Sequence, residues 1–163
     1  MGRTRLGLLA GAARAFAEQG LRRSTMQSVA AAAGVAKATL YNHFRTKDEV
    51  ARALLAVELD RLSATAAALP TGEALAALSD ELGAHPVLRR LAVSEPEVLA
   101  ELLGTDRWAE LTGRLAVALR IDEDGAELAG RWLLGVVVQP GRSTARHRHA
   151  TRLAAVLAPS AAG

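Results

Sequence analysis

The sequence contains no cysteine and few aromatic residues, and both shortages narrow its chemistry. Without thiols there can be no disulfide, no thiolate nucleophile and no zinc site built on cysteine. Aromatic residues make up only 3% of the chain, so any ligand pocket is expected to be aliphatic. No run approaches the roughly 20 apolar residues needed to cross a bilayer, and charges at Arg14 and Glu18 argue against a secretory signal. We therefore expect a cytoplasmic protein with no membrane partner.

Alternating strand patterns are scarce as well, whereas Ala and Leu dominate, so nearly every segment is predicted to be helical. Ser24 with Gln27 and Thr46 with Glu49 have the spacing of capping boxes, which mark helix starts. Gly20 and Gly34 are placed where left-handed helix ends are expected. The predicted helices cover residues 4–19, 25–32, 36–44, about 47–69, 71–83, 86–93, 95–103, 105–120, 123–138 and 144–158.

Charge is unevenly distributed along the chain, although the net value is only +3. Residues 1–47 contain eight Lys/Arg and one acidic residue, which gives +7, whereas residues 48–163 contain twelve and sixteen, which gives −4. A basic segment followed by an acidic one is typical of a protein that meets a polyanion with one end. Charge alone leaves open the alternative of a basic solvated surface. We predict two domains, 1–47 and 48–163.

Residues 25–44 contain the most informative pattern: a short helix, a tight turn at Gly34, and a second short helix. The small residues at 30–33 allow the two helices to approach closely, as a compact helix-turn-helix requires. The second helix presents polar and mid-sized side chains over seven positions. Such a helix fits the DNA major groove, which is about 12 Å wide, and can offer hydrogen bonds to base edges and phosphates.

The same region resembles the DNA-binding domain of the tetracycline-repressor (TetR) family over residues 6–55. The resemblance is carried by Ala13 to Phe16, Gly20, Ser24-Thr25, Val29-Ala30, Ala33-Gly34-Val35, Thr39-Leu40-Tyr41, His43-Phe44 and Lys47. It implies an all-α fold, with an N-terminal three-helix helix-turn-helix domain followed by a helical ligand-binding and dimerisation domain. It further implies a transcriptional regulator, expected to be a repressor, that binds a palindromic DNA operator as a homodimer.

The resemblance also assigns roles to individual residues. Thr25, at the start of helix two, is expected to contact a phosphate. The residues nearest the bases are expected to be Lys37, Ala38, Thr39 and Asn42, and the phosphate contacts Tyr41, His43 and Lys47. Position 36, where the family usually has serine or a similar capping residue, holds Ala36, and loss of such a cap costs about 0.5–2 kcal/mol.

For the second domain the resemblance implies two further sites. The last two helices are expected to form a four-helix dimer interface, with Trp132, Val136, Leu153 and Leu157 as candidates. The alternative is that these residues pack inside the monomer. A small apolar effector is expected to bind among the middle helices, near His85, Trp108 and Leu111, although a core role for both tryptophans is the simpler interpretation.

Other classes of function have less support in the sequence. We find no glycine-rich phosphate loop, no nucleophile elbow and no histidine–carboxylate metal spacing, and so expect no enzyme, cofactor or metal site. His147 and His149 are two residues apart and fall on different faces of a helix. Ser94, Glu95 and Glu97 are interpreted as a helix cap. The remaining alternative is a protein of this fold that acts through protein interaction, or that binds DNA without any ligand.

Overall fold

A computed structural model describes residues 2–157, and over that range the chain is helical with no strand. This confirms the predicted all-α fold. Within the described range, no helix has the length and apolar character needed to cross a membrane. The helices are α1 (Gly2–Gln19), α2 (Met26–Ala33), α3 (Lys37–Tyr41), α4 (Lys47–Ala67), α5 (Thr71–Ala84), α6 (Pro86–Ser94), α7 (Pro96–Leu102), α8 (Thr105–Leu119), α9 (Glu123–Val138) and α10 (Ser143–Leu157). Residue 158, the predicted end of the last helix, lies outside the described residues.

The largest departure from the predicted boundaries is in α3, which ends at Tyr41 rather than near Phe44. The chain tightens there, because the amide of His43 donates to the carbonyl of Leu40 three residues earlier, at 3.0 Å. Three-residue spacing of this kind is common where a helix ends. Helix α3 is therefore short, and its position depends on the residues that anchor it.

The chain forms two compact units, and the first comprises residues 1–58 together with 86–99. It contains α1 to α3, α4 as far as Glu58, all of α6 and α7 as far as Leu99. Its core is a single apolar cluster, to which α1, α2, α3 and α4 all contribute: Leu8, Leu9, Ala12, Ala15, Phe16, Met26, Val29, Ala30, Leu40, Phe44 and Val50. Helix α6 packs against α1, with Leu91 buried. A segment from the middle of the sequence thus belongs to the N-terminal unit.

Over the described part of the chain, the second unit comprises residues 59–85 and 100–157. In it α5 packs against both α9 and α10, and α8 packs against α9. The buried core of this unit is Ala66, Ala74, Leu75, Leu78, Ala118, Leu119, Ala129, Leu133 and Ala150. The predicted boundary after Lys47 is a division by function, whereas these two units are a division by packing. The functional division stays a prediction.

Candidate nucleic-acid interface

Helix α2 begins with a capping box, one residue later than predicted. Thr25 is the N-cap, with an extended backbone (φ −122°, ψ 162°), and its hydroxyl accepts from the amide of Ser28 at 3.1 Å. The Ser28 hydroxyl in turn accepts from the amide of Thr25 at 2.9 Å. The predicted pairing of Ser24 with Gln27 is therefore wrong. Ser24 is buried instead, and its hydroxyl donates to the carbonyl of Gly20 at 2.6 Å.

The turn between α2 and α3 is closed by Gly34 in the left-handed conformation (φ 69°). The amide of Gly34 donates to Ala31 and the amide of Val35 donates to Ala30, both at 3.0 Å. These two bonds form a Schellman motif, which satisfies carbonyls left unpaired at the end of a helix. A residue with a Cβ is strained at such a φ. The turn and the start of α3 are consequently set by local backbone geometry.

Helix α3 has one anchored side and one open side. Leu40 is completely buried in the core of the first unit, while Lys37, Ala38, Asn42 and His43 are exposed. Tyr41 is 44% exposed, and the Lys37 ammonium lies 5.7 Å from the centre of its ring, within range of a cation–π interaction. The predicted base-facing and phosphate-facing residues of this helix therefore lie on the open side, apart from the half-buried Thr39.

The N-terminus of α3 has no side-chain cap. Ala36 occupies the N-cap position with an extended backbone (φ −66°, ψ 147°) and makes no side-chain hydrogen bond. Its carbonyl accepts from the amides of Thr39 at 3.0 Å and Leu40 at 3.3 Å. The backbone is thus arranged as at an ordinary helix start, and only the hydroxyl is missing.

Lys47, the first residue of α4, contacts the turn between α1 and α2. Its ammonium donates to the carbonyl of Arg22 at 3.1 Å, and the side chain is half-buried. One of the two hydrogen bonds of the predicted capping box is present at the start of α4: the Thr46 hydroxyl accepts from the amide of Glu49 at 3.1 Å. The Glu49 carboxylate accepts from the amide of Arg45, not from that of Thr46. Thr25 and Lys47 thereby flank one short turn.

Sequence reasoning missed a second contact of that turn. Glu95 is buried, and its carboxylate accepts from the amides of Leu21 and Arg22. From the sequence, Glu95 is interpreted together with Ser94 and Glu97 as a helix cap. The signal that could have identified it is a carboxylate in a segment whose neighbours Leu91, Val98 and Leu99 are apolar and buried.

The predicted effector residues lie in the second unit. Trp108 of α8 packs against α9: its indole N–H donates to the Glu127 carboxylate at 2.6 Å, and its ring lies next to Gly130. Leu111 is half-buried on the same helix, and His85 is half-buried at the end of α5. The structure thus assigns Trp108 a packing role between α8 and α9.

The predicted dimer residues divide into two groups. Val136 is 5% exposed and lies within the core of its own unit, so it has little surface to offer a partner. Trp132, Leu153 and Leu157 are partly buried against that core. The exposed apolar side chains of the last two helices are instead Leu128 and Val138 on α9 and Val156 on α10.

The histidine segment of α10 belongs to a polar cluster with α5. The Asp80 carboxylate accepts from Ser143 at 3.0 Å and Arg146 at 2.5 Å, and lies 2.5 Å from Nε2 of His147. In residues 2–157, no three histidine or carboxylate side chains are placed to hold a metal ion. The cluster therefore acts as a polar clasp between two helices.

Three features of this region define a helix-turn-helix in an all-α protein. They are the capped start of α2, the turn at Gly34 and the anchoring of α3 by Leu40. The sequence profile of the tetR family of bacterial regulatory proteins matches residues 8–54. The HTH-type transcriptional repressor KstR2 of Mycobacterium tuberculosis is 46% identical over 57 residues, which is 35% of this chain and 28% of the repressor's length.

Solved structures extend the likeness to almost the whole chain. Salmonella enterica GusR superimposes with a TM-score of 0.66 and 26% identity, covering 94% of this chain and 93% of GusR. The regulator FadR of Bacillus subtilis in complex with stearoyl-CoA has a TM-score of 0.62 and 16% identity, covering 93% and 96% of the two chains. At 16% identity the second likeness shows the shared fold alone. The sequence likeness to the tetR family of bacterial regulatory proteins thus lies in residues 8–54, and the chain spans about a quarter of the length of the KstR2 repressor that it matches.

Proposed function

We propose that this protein is a transcriptional repressor that binds a palindromic operator as a homodimer, with α3 of each protomer in the major groove. The observation that carries the proposal is the two-sided character of α3. Leu40 fixes its inner side in the core, while its outer side presents Lys37, Ala38, Tyr41 and Asn42. A helix held in this way can read bases because its own position is fixed beforehand.

In this proposal Lys37, Ala38, Thr39 and Asn42 lie nearest the bases. Contacts to the DNA backbone are assigned to four residues around them: Thr25, Tyr41, His43 and Lys47. Phosphate contacts set register and orientation, whereas base contacts carry sequence information. The two groups of residues are therefore expected to respond differently to substitution.

The test compares Lys47→Ala with Thr39→Ala on an operator recovered by selecting bound genomic fragments. Lys47→Ala is expected to weaken binding on every sequence and to reduce the salt slope by about 1. Thr39→Ala is expected to alter sequence preference as well, because a good base contact contributes about 1–3 kcal/mol of discrimination. Arg148→Ala, which removes a charge from an exposed position of α10, is the control and should change neither quantity.

Circular dichroism first establishes that Thr39→Ala is folded, since Thr39 is half-buried. Equal and negligible effects of Lys47→Ala and Thr39→Ala would contradict the proposed interface. Binding of the unaltered protein that is absent, or insensitive to salt, would instead favour a role in protein interaction, because release of counterions makes DNA binding salt-dependent. The uncapped Ala36 is the observation that supports this second candidate.

We place the dimer interface on α9 and α10, around the exposed Leu128, Val138 and Val156. The predicted candidates Trp132, Leu153 and Leu157 belong to the same two helices and are partly buried against the core of the second unit. Leu128→Arg is expected to convert the dimer to monomers in sedimentation velocity at micromolar protein. Val117→Arg is the matched control, because Val117 is an 82%-exposed apolar residue on α8. Dissociation by Val117→Arg alone would place the interface elsewhere.

A small apolar effector is proposed to release the operator by binding the second unit, near His85, Trp108 and Leu111. The B. subtilis neighbour in complex with stearoyl-CoA makes long-chain acyl-CoA a reasonable first probe. A ligand can release DNA only if it prefers one arrangement of the protein over another. The probe is added to a Trp132→Phe variant, in which Trp108 is the remaining tryptophan of the sequence. Loss of operator binding with a change in fluorescence would support the proposal. Saturation of the fluorescence change without loss of operator binding would oppose it.

A further inference from the structure

The turn between α1 and α2 surrounds a carboxylate from a distant part of the chain. The Glu95 side chain accepts from the amide of Leu21 at 2.8 Å, and each of its oxygens lies 3.3 Å from the amide of Arg22. Glu95 is 6% exposed. All of these residues belong to the first compact unit.

The backbone of this turn is shaped to receive an anion. Gly20 adopts a left-handed conformation (φ 81°), which aims the next two amides at one point. Successive amides in such a turn form a concave nest that binds negative charge. A Cβ on Gly20 would overlap Oε1 of Glu95, so glycine at this position allows the carboxylate to approach the backbone. The nest and Glu95 are complementary in charge and in shape.

Glu95 stands at the corner between α6 and α7. Its amide donates to Leu91 in α6 at 2.9 Å, and its carbonyl accepts from Val98 in α7 at 3.0 Å. The side chain is therefore tied to both helices through its own backbone. Helix α7 continues to Leu102, beyond the residues of the first unit. A rearrangement of α6 or α7 would consequently move the carboxylate.

The other side of the same turn faces the proposed phosphate contacts. Lys47 donates to the carbonyl of Arg22, whose amide is one of those held by Glu95. Thr25 follows three residues later and starts α2. The position of Leu21 and Arg22 therefore affects both Thr25 and Lys47.

We propose that Glu95 is a positioning residue that holds the α1–α2 turn so that Thr25 and Lys47 can meet DNA phosphates, and that this carboxylate couples the α6–α7 corner to DNA affinity. The inference rests on the proposed function, because it concerns the regulation of the same interface. When Glu95 leaves the nest, the amides of Leu21 and Arg22 lose their partner and Lys47 loses its fixed acceptor.

The test uses Glu95→Gln, which keeps the shape of the side chain and removes its charge. Glu101→Gln is the matched control, because it removes the same charge from an exposed position of α7. Hydrogen exchange of the Leu21 and Arg22 amides is expected to become at least about tenfold faster in Glu95→Gln only, equivalent to about 1.4 kcal/mol. DNA affinity, measured where both variants are fully folded, should fall about tenfold in the same variant, again about 1.4 kcal/mol.

A mutant cycle separates positioning from a general loss of stability. If Glu95 acts through Thr25 and Lys47, then Glu95→Gln in a background that carries both Thr25→Ala and Lys47→Ala should weaken DNA binding by less than about threefold, because both side chains that it positions are already absent. A full tenfold loss in that background, or unchanged affinity with fast amide exchange, would overturn the coupling. Unchanged amide exchange would overturn the contact itself.

Two further outcomes are assigned in advance. If Glu95→Gln has lost its helical signal, Glu95→Asp, which keeps the charge and withdraws it by one methylene, is measured against the same criteria. If the unaltered protein binds no DNA, the proposed function fails. The amide-exchange comparison then still decides whether Glu95 holds the turn.

Discussion

Replacing Ala36 by serine should stabilise helix α3. The backbone at Ala36 already has N-cap geometry, and its carbonyl accepts from the amides of Thr39 and Leu40. A serine hydroxyl at this position would accept from the amide of Ala38, or share the amide of Thr39 with the carbonyl of residue 36, as N-cap side chains do at helix starts. Such a cap contributes about 0.5–2 kcal/mol relative to alanine. Because α3 has only five residues, one added hydrogen bond is a large share of its local stability.

For a domain of this size, 1 kcal/mol corresponds to a rise of about 2–4 °C in the unfolding midpoint. Because the cap contributes about 0.5–2 kcal/mol, the midpoint of Ala36→Ser should exceed that of the unaltered protein by about 1–8 °C in a thermal melt followed by circular dichroism. Only molecules in which α3 is formed can bind DNA through it. Stabilising α3 can therefore raise the affinity for DNA at most by a factor equal to one divided by the fraction of molecules in which α3 is already formed. Any larger gain would indicate a direct contact of the new hydroxyl with phosphate.

Ala31→Ser provides the control, because it adds the same hydroxyl to an exposed interior position of α2. Serine is a poorer helix former than alanine at such a position by up to about 0.7 kcal/mol, so this variant should melt slightly lower. The reasoning would be refuted if the midpoint of Ala36→Ser did not exceed that of Ala31→Ser.

Three other predictions concern the core, the turn and the polar clasp. Leu40→Ala should lower the free energy of unfolding by about 2–5 kcal/mol in a denaturant titration, since Leu40 is fully buried; a loss below 1 kcal/mol would show that α3 is weakly anchored. Gly20→Ala should destabilise the protein in the same titration, because the added Cβ meets both a positive φ and the Glu95 carboxylate; an unchanged midpoint would argue against the nest. Burial alone would raise the pKa of Asp80, but hydrogen bonds from His147 and two neighbouring side chains outweigh it and lower the pKa below its usual value. The stabilisation by Asp80 should therefore be present above the unfolded-state pKa and disappear as pH falls through the lowered folded-state pKa, so the thermal midpoints of the unaltered protein and Asp80→Asn should converge in acid; a constant difference would contradict this.

The features that could be predicted from the sequence are the helices and their ends, because residues close together in the chain determine them. Helix periodicity and prolines predicted ten helices, and glycines at 20 and 34 marked their ends, because these signals act over one or two turns. Leu40, which fixes the inner side of α3, is fully buried. The open side of α3 follows once its inner side is known.

The features that could not be predicted are contacts between groups that are far apart in the sequence or are decided by packing in the folded chain. Glu95 and Leu21 are 74 positions apart, and no local pattern indicates that a carboxylate will end in a backbone nest. The choice of Thr25 over Ser24 as the cap was decided by packing, since the Ser24 hydroxyl is buried against the end of α1. Val136 shares its helical face with residues predicted for an interface, but it is covered within its own unit.

The division of the first unit into two stretches of sequence affects how it is synthesised. Residues 86–99 belong to this unit, so the N-terminal helices leave the ribosome well before α6, with which α1 packs. Domains generally fold as whole units during translation, and this one is complete only after Leu99 has emerged. A chimera that transferred residues 1–58 alone to another regulator would leave part of the unit behind, including Leu91 and Glu95. The exchangeable module therefore consists of residues 1–58 together with residues 86–99.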